Sequence, residues 1–163
     1  MMIKRQCMAV ICLLALLFGL SACSEDHLQE DEIDTDFEQD YAQIDDITKY
    51  LLSLEETDVN IDFEHNKMTV GLGKPMEFQS SEIKKIVGEL EKKGYHQITK
   101  KDNVVIFDVW RKPFSAEYES GFVYSVDGTG DLSAIQFLIY QRALSKENWY
   151  YYESNYNEWR VNQ

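Results

Sequence analysis

The residues of this chain with chemistry to offer are carboxylates and aromatic rings. Asp108, Glu117, Glu119 and Asp127 fall on or beside two predicted strands, 104–110 and 118–126, whose pairing would bring them together. Two acids at a fixed separation are what paired-carboxylate hydrolysis requires. Spacing alone does not select that outcome, because a chain this acidic brings surface acids together by chance. His27, His65 and His96 share no metal-ligand spacing, and no serine sits in a Gly-x-Ser-x-Gly elbow. The Gly-Leu-Gly-Lys-Pro stretch at 71–75 lacks the ending of a phosphate loop. Asp127-Gly-Thr-Gly-Asp131 reads as a hairpin turn, since the further oxygen positions of a calcium loop are missing. These observations predict no catalytic residue, no metal and no cofactor.

The aromatic residues are more distinctive. Trp149, Tyr150, Tyr151 and Tyr152 are consecutive, and Tyr156 and Trp159 follow. On a strand, Trp149 and Tyr151 face one way and Tyr150 and Tyr152 the other. One pair serves a core. The other is either covered by the chain's own end or open to a protein or glycan partner, because Tyr and Trp are enriched at interface hot spots. Those six residues are the candidate partner-binding set.

The amino end carries an address. Lys4 and Arg5 precede an uncharged run from Cys7 to Leu20. A basic start, a short apolar run and small residues after it are the anatomy of an export signal. The run is shorter than the roughly 20 apolar residues of a spanning helix. Leu20-Ser21-Ala22-Cys23 closes it. This tetrad resembles the lipobox of bacterial lipoproteins. The resemblance implies removal of residues 1–22 and acylation of Cys23, which anchors the chain in a lipid bilayer. Two or more acyl signals make such anchoring stable. In enteric lipoproteins an Asp after the Cys favours the inner membrane, and here Ser24 stands there. Glu25 and Asp26 resemble the acidic surface-export signal of Bacteroidetes lipoproteins. Both resemblances imply the outer membrane, the second its outer leaflet.

Cysteine use agrees. Cys7 and Cys12 lie in the removed segment, so once Cys23 is acylated no thiol remains for a disulfide or a metal. The formal net charge of −13 becomes −15 when Lys4 and Arg5 go. That balance argues against nucleic acid, whose phosphates need Lys and Arg, and against electrostatic docking on anionic lipid. Nine carboxylates and no Lys or Arg between Ser24 and Asp40 predict a disordered acidic tether over 23–40.

The elements that must position these residues follow in order, in a single domain over 41–163. Ile44, Ile47, Leu51 and Leu54 predict a helix from Tyr41 to about Glu55, with Asp40 as N-cap. Val59–Phe63 alternates as a strand, and Met68–Leu72 is a short second one. Ser81–Lys93 is a second amphipathic helix ended by Gly94. A meander follows: 95–99, 104–110, 118–126, 132–140 and 149–152, with a short helical piece near Asn155–Arg160. The expected fold is a two-layer α+β domain, about two helices packed on a four- or five-stranded antiparallel sheet. The expected protein is a non-catalytic, membrane-anchored extracytoplasmic lipoprotein that binds a protein or glycan through an aromatic sheet face. An accessory or inhibitor-like subunit of an envelope complex is the alternative, and a paired-carboxylate hydrolase a further one.

Overall fold

The computed structural model describes residues 30–65, 67–109 and 118–161. Leu20–Cys23, on which the lipoprotein resemblance rests, the acidic residues before Glu30, His27, Trp110, Ser115 and Glu117 lie outside the described residues.

The fold differs from the expected one. It has three helices and a single sheet of eight strands, in the order β3-β2-β1-β4-β5-β6-β8-β7. The strands are β1 (Asp58–Asp62), β2 (Lys67–Val70), β3 (Lys74–Met76), β4 (Tyr95–Lys101), β5 (Val104–Val109), β6 (Tyr118–Ser125), β7 (Leu138–Ala143) and β8 (Trp149–Asn155). Every neighbouring pair is antiparallel. The helices are α1 (Glu30–Ser53), α2 (Ser81–Lys92) and α3 (Tyr156–Val161).

The sheet is larger chiefly because β1 pairs with β4 and carries β2 into the same sheet, and two errors of pattern account for the rest of the difference. The segment 71–76 looks like loop, yet Lys74–Met76 pairs with β2. Pro75 is tolerated there because β3 is an edge strand, where a missing N–H costs no ladder bond. The second error concerns Asp127-Gly-Thr-Gly, which looks like the turn of a β6–β7 hairpin. In the structure β6 pairs with β8, and β7 lies beyond β8. Asp127–Phe137 is therefore a long connection, and only the last part of the predicted strand 132–140 is strand.

Residues 30–40, predicted as part of a disordered acidic tether, are helical instead. Helix α1 begins at Glu30, and Ile33 and Phe37 are buried. Ile33, Phe37, Asp40, Ile44, Ile47 and Leu51 recur every three or four residues and form one stripe. The carboxylates before them suit the positive end of a helix dipole. Asp40 is consequently a buried residue of the helix rather than its cap. Its carboxylate accepts from Tyr95 Oη at 2.8 Å and from Lys93 Nζ at 2.6 Å. The compact unit starts at Asp31 rather than Tyr41.

Helix α1 crosses one face of the sheet from β7 to β4. Asp34 pairs with Arg142 of β7 at 2.8 Å. Phe37 packs on Phe122 and Trp149, with ring centroids 5.3 and 5.5 Å away. The C-terminal turn of α1 holds no basic residue. Lys100 of β4 reaches over instead, donating to the carbonyls of Leu51 and Leu54 at 2.9 Å each. This satisfies acceptors that a helix end leaves open. Helix α2 begins as its sequence indicates. Ser80 is the N-cap, its Oγ accepting from Ile83 N, and Gly94 takes the left-handed conformation (φ 95°) past the end. Gln43 and Glu89 join α1 to α2 at 2.7 Å.

Strand β5 is buried along its whole length, so both faces of the sheet are covered at its centre. Val105 and Phe107 look toward α1. Val104 and Ile106 look the other way, into a second apolar cluster with Val123, Leu132 and Tyr152. That cluster is roofed by the 126–137 connection rather than by a helix.

Candidate functional site

The aromatic run of β8 does not form an open binding face. Trp149 and Tyr151 enter the core under α1, 2% and 0% exposed. Tyr152 enters the opposite cluster at 1%. Tyr150 packs against that cluster too, donating to Gly128 O at 3.1 Å. A strand next to the edge of a sheet covered on both faces has no free side, so four of the six candidate residues serve the interior. The remaining two, Tyr156 and Trp159, sit on α3 and meet a residue the sequence did not single out. Phe137 lies 4.9 Å from the Tyr156 ring and 5.3 Å from Trp159. Phe137 is partly exposed and holds φ at 55°. Such a backbone in a bulky residue costs on the order of 1–3 kcal/mol and persists only where its surroundings fix it. Here Asn155 N donates to Phe137 O at 3.0 Å.

Phe137 and Tyr156 stand at the rim of a cleft of about 520 Å³ on the sheet face opposite α1. The size is that of a small-ligand site. Its floor is Thr99, Ile106, Asp108 and Tyr152, its wall Ala134–Phe137. Glu119 and Tyr156 also line it, and Lys101 lies toward one end.

Asp108 is the unusual residue. It interrupts an apolar strand and is only 8% exposed. Burial pushes its carboxyl up to about 7, the nearby Glu119 charge adds to the rise, and a hydrogen bond donated by Tyr152 Oη opposes it. The phenol of Tyr152 is held well above its usual range, first by burial and then by the Asp108 charge. Gly121 makes the contact possible. It pairs with Asp108 on one side and Tyr152 on the other. With no side chain at Gly121, the tyrosine reaches across β6. A methyl group there would meet Phe107 O at 1.9 Å.

Of the four acids considered from the sequence, the structure brings Asp108 and Glu119 into one cleft. Asp127 goes elsewhere. Its Oδ1 accepts from Ser125 Oγ, Thr129 N and Thr129 Oγ1 at 2.8, 3.1 and 2.9 Å, which closes the turn on itself. His65 pairs with Asp62 on the surface at 2.7 Å, and burial lowers the pKa of His96. Among the described residues no three His, Cys, Asp or Glu are grouped to hold a metal ion.

The cleft can therefore do two things. It can hold or exchange a proton near neutral pH at Asp108, beside a second carboxylate. It can also bury a ligand against Phe137 and Tyr156. The sequence signals for it were an acid inside an apolar strand and a glycine opposite. The wall went unread because its apolar residues look like strand. Comparison with protein-family models, with curated proteins and with solved structures gives no match to this chain.

Proposed function

We propose that the protein is a lipid-anchored extracytoplasmic binding protein of the bacterial envelope, non-catalytic, that receives its ligand in the cleft over Asp108. The ligand is a small molecule or an exposed group of a protein or glycan partner. The observation that carries this reading is the cleft itself, a cavity of small-ligand size with a buried polar floor and exposed rings at its rim. The anchor rests on Leu20-Ser21-Ala22-Cys23. Among the described residues no helix is long and apolar enough to cross a membrane. Acylation at Cys23, followed by Ser24, suits the outer membrane.

The test has two parts. Intact mass spectrometry of protein purified from membranes is expected to show a chain starting at acylated Cys23, and Cys23→Ala is expected to release it. Native mass spectrometry of the same preparation is expected to show a bound adduct. Gln136→Trp, at an exposed position of the cleft wall, should exclude it. An unmodified Cys23 overturns the anchor. An adduct retained by Gln136→Trp overturns the site.

One observation favours a second reading, a paired-carboxylate hydrolase. Asp108 stays protonated to about pH 7 with Glu119 beside it, the arrangement of an acid and a second carboxylate. Hydrolysis of aryl glycosides by the wild type, lost in both Asp108→Asn and Glu119→Gln, would establish it. An inert wild type removes it.

A further inference from the structure

We infer that the cleft takes an organic cation, an ammonium or guanidinium group seated against Asp108 and Glu119 with its carbon chain against Phe137 and Tyr156. The inference rests on the reading of the cleft as a ligand site and adds the ligand's chemistry.

The argument is one of unmatched charge. A carboxylate withdrawn from water is stable when a cation compensates it, and costly otherwise. Asp108 is buried, and its hydrogen-bond partner is a neutral phenol, Tyr152. Among the described residues no Lys or Arg forms an ion pair with Asp108 or Glu119. Lys101, the lining cation, is opposite Val104 in the β4–β5 register. That is four residues along the strand from Asp108, roughly 13 Å at strand spacing. A cation of the ligand would supply what the floor lacks. An uncharged polyol would leave it lacking.

Two further features point the same way. The faces of aromatic rings attract cations, and the rim already shows it: the Arg160 guanidinium lies 5.9 Å from the Tyr156 ring centroid. The whole chain is also strongly acidic, so its field gathers cations and repels anions.

Proton linkage gives a signature. The titratable and charged groups lining the cleft around Asp108 are Lys101 on β4, Glu119 on β6, Tyr152 on β8 and Tyr156 on α3, and the wall 134–137 adds none. An ammonium ligand stays charged across neutral pH. Asp108 does not, since its carboxyl titrates at about 7. Affinity for the cation should therefore fall roughly tenfold from about pH 8 to about pH 6, with proton release on binding at the lower pH.

The experiment is calorimetry on the mature acylated protein in detergent micelles. The probes are putrescine, spermidine and a tri-lysine amide peptide, with chitotriose as the neutral control. At least one amine is expected to bind. Glu119→Gln, an exposed substitution that leaves the fold alone, should weaken it roughly fivefold or more. Asp108→Asn should abolish the pH step, with folding checked by near-ultraviolet circular dichroism. Binding of the free amines points to a small metabolite, and binding of the peptide alone to a basic side chain of a partner. Chitotriose bound without the amines overturns the inference and leaves the cleft as a ligand site. An adduct retained in Gln136→Trp removes both. Amine binding that emerges only in Arg111→Gln/Lys112→Gln, in the segment joining β5 to β6, also overturns the inference, because the chain would then supply its own cation.

Discussion

The two faces of the sheet are built from the same strands and finished differently. On one face a 24-residue helix lays a continuous apolar stripe across the strands, and Phe37, Ile44, Ile47 and Leu51 are fully buried. Its charged groups are matched. Asp40 meets Lys93 and Tyr95, and Lys100 meets the carbonyls of Leu51 and Leu54 at the end of the helix. On the other face an irregular connection covers a smaller cluster and leaves a cleft with Asp108 at its floor. A helix repeats its contacts every turn and seals what it crosses. A loop contributes a few anchors, here Leu132 and Ile135, and leaves space between them. The first face holds the fold, and the second is free to hold something else.

The comparison breaks first if the helix face proves dispensable. Phe37→Ala removes a ring that touches Phe122, Trp149 and Tyr41. Equilibrium denaturation should show a loss of about 3–5 kcal/mol, the usual cost of emptying a buried aromatic site. A loss under about 1 kcal/mol would mean that α1 is an accessory rather than the lid of the core.

The second prediction concerns the cleft floor and has the opposite sign. The carboxyl of Asp108 titrates at about 7 in the folded protein against an ordinary 3.8. The folded state therefore keeps its proton longer than the unfolded chain. Stability is unaffected below the ordinary value, declines as pH rises toward 7, and carries the full penalty above it. Asp108→Asn keeps an acceptor for Tyr152 and removes the charge. It should stabilise the protein by up to roughly 4 kcal/mol at pH 8 and by little at pH 4, from about three pKa units at about 1.4 kcal/mol each. Denaturation midpoints across pH would check this. A pH-independent difference would show that Asp108 is not held protonated by burial.

The third returns to the helix face. Lys100→Met keeps most of the side chain's length and loses two charge-assisted hydrogen bonds to the end of α1. A loss of about 2 kcal/mol is expected, with faster amide exchange in the last turn of α1. Unchanged exchange there would mean that water caps the helix equally well.

What was legible in the sequence follows the same division. Helix α2 could be read because its apolar stripe and Gly94 are local signals that agree. Strand β5 could be read because its β-branched and aromatic residues are continuous. The start of α1 was missed although Ile33 and Phe37 continue the stripe. Nine carboxylates outweighed two apolar residues in a reading by composition. The order β6-β8-β7 was not legible at all. An Asp-Gly turn reports only its own backbone, and whether the chain returns to the same strand depends on contacts many residues away. The cleft fell in that blind spot, since its floor comes from three strands, β4, β5 and β8, and its wall from the misread connection. The aromatic run of β8 stood out in the sequence as a possible surface, and its burial depended on both covers.

The smallest expected effect tests the loop face most directly. Phe137 is partly exposed and sits at φ 55°, so Phe137→Gly loses modest packing and gains relief of backbone strain. The two terms are each about 1 kcal/mol and opposed, and the net change in stability should lie within about 1 kcal/mol of zero. Affinity for the bound adduct should fall nonetheless, because the ring is part of the cleft wall. If stability dropped as it does for Phe37→Ala, Phe137 would belong to a core, and the strained conformation would have to be explained by folding alone. If neither stability nor binding moved, the exposed rings at the rim would have no part in ligand capture. The cleft would then be reduced to its carboxylate floor.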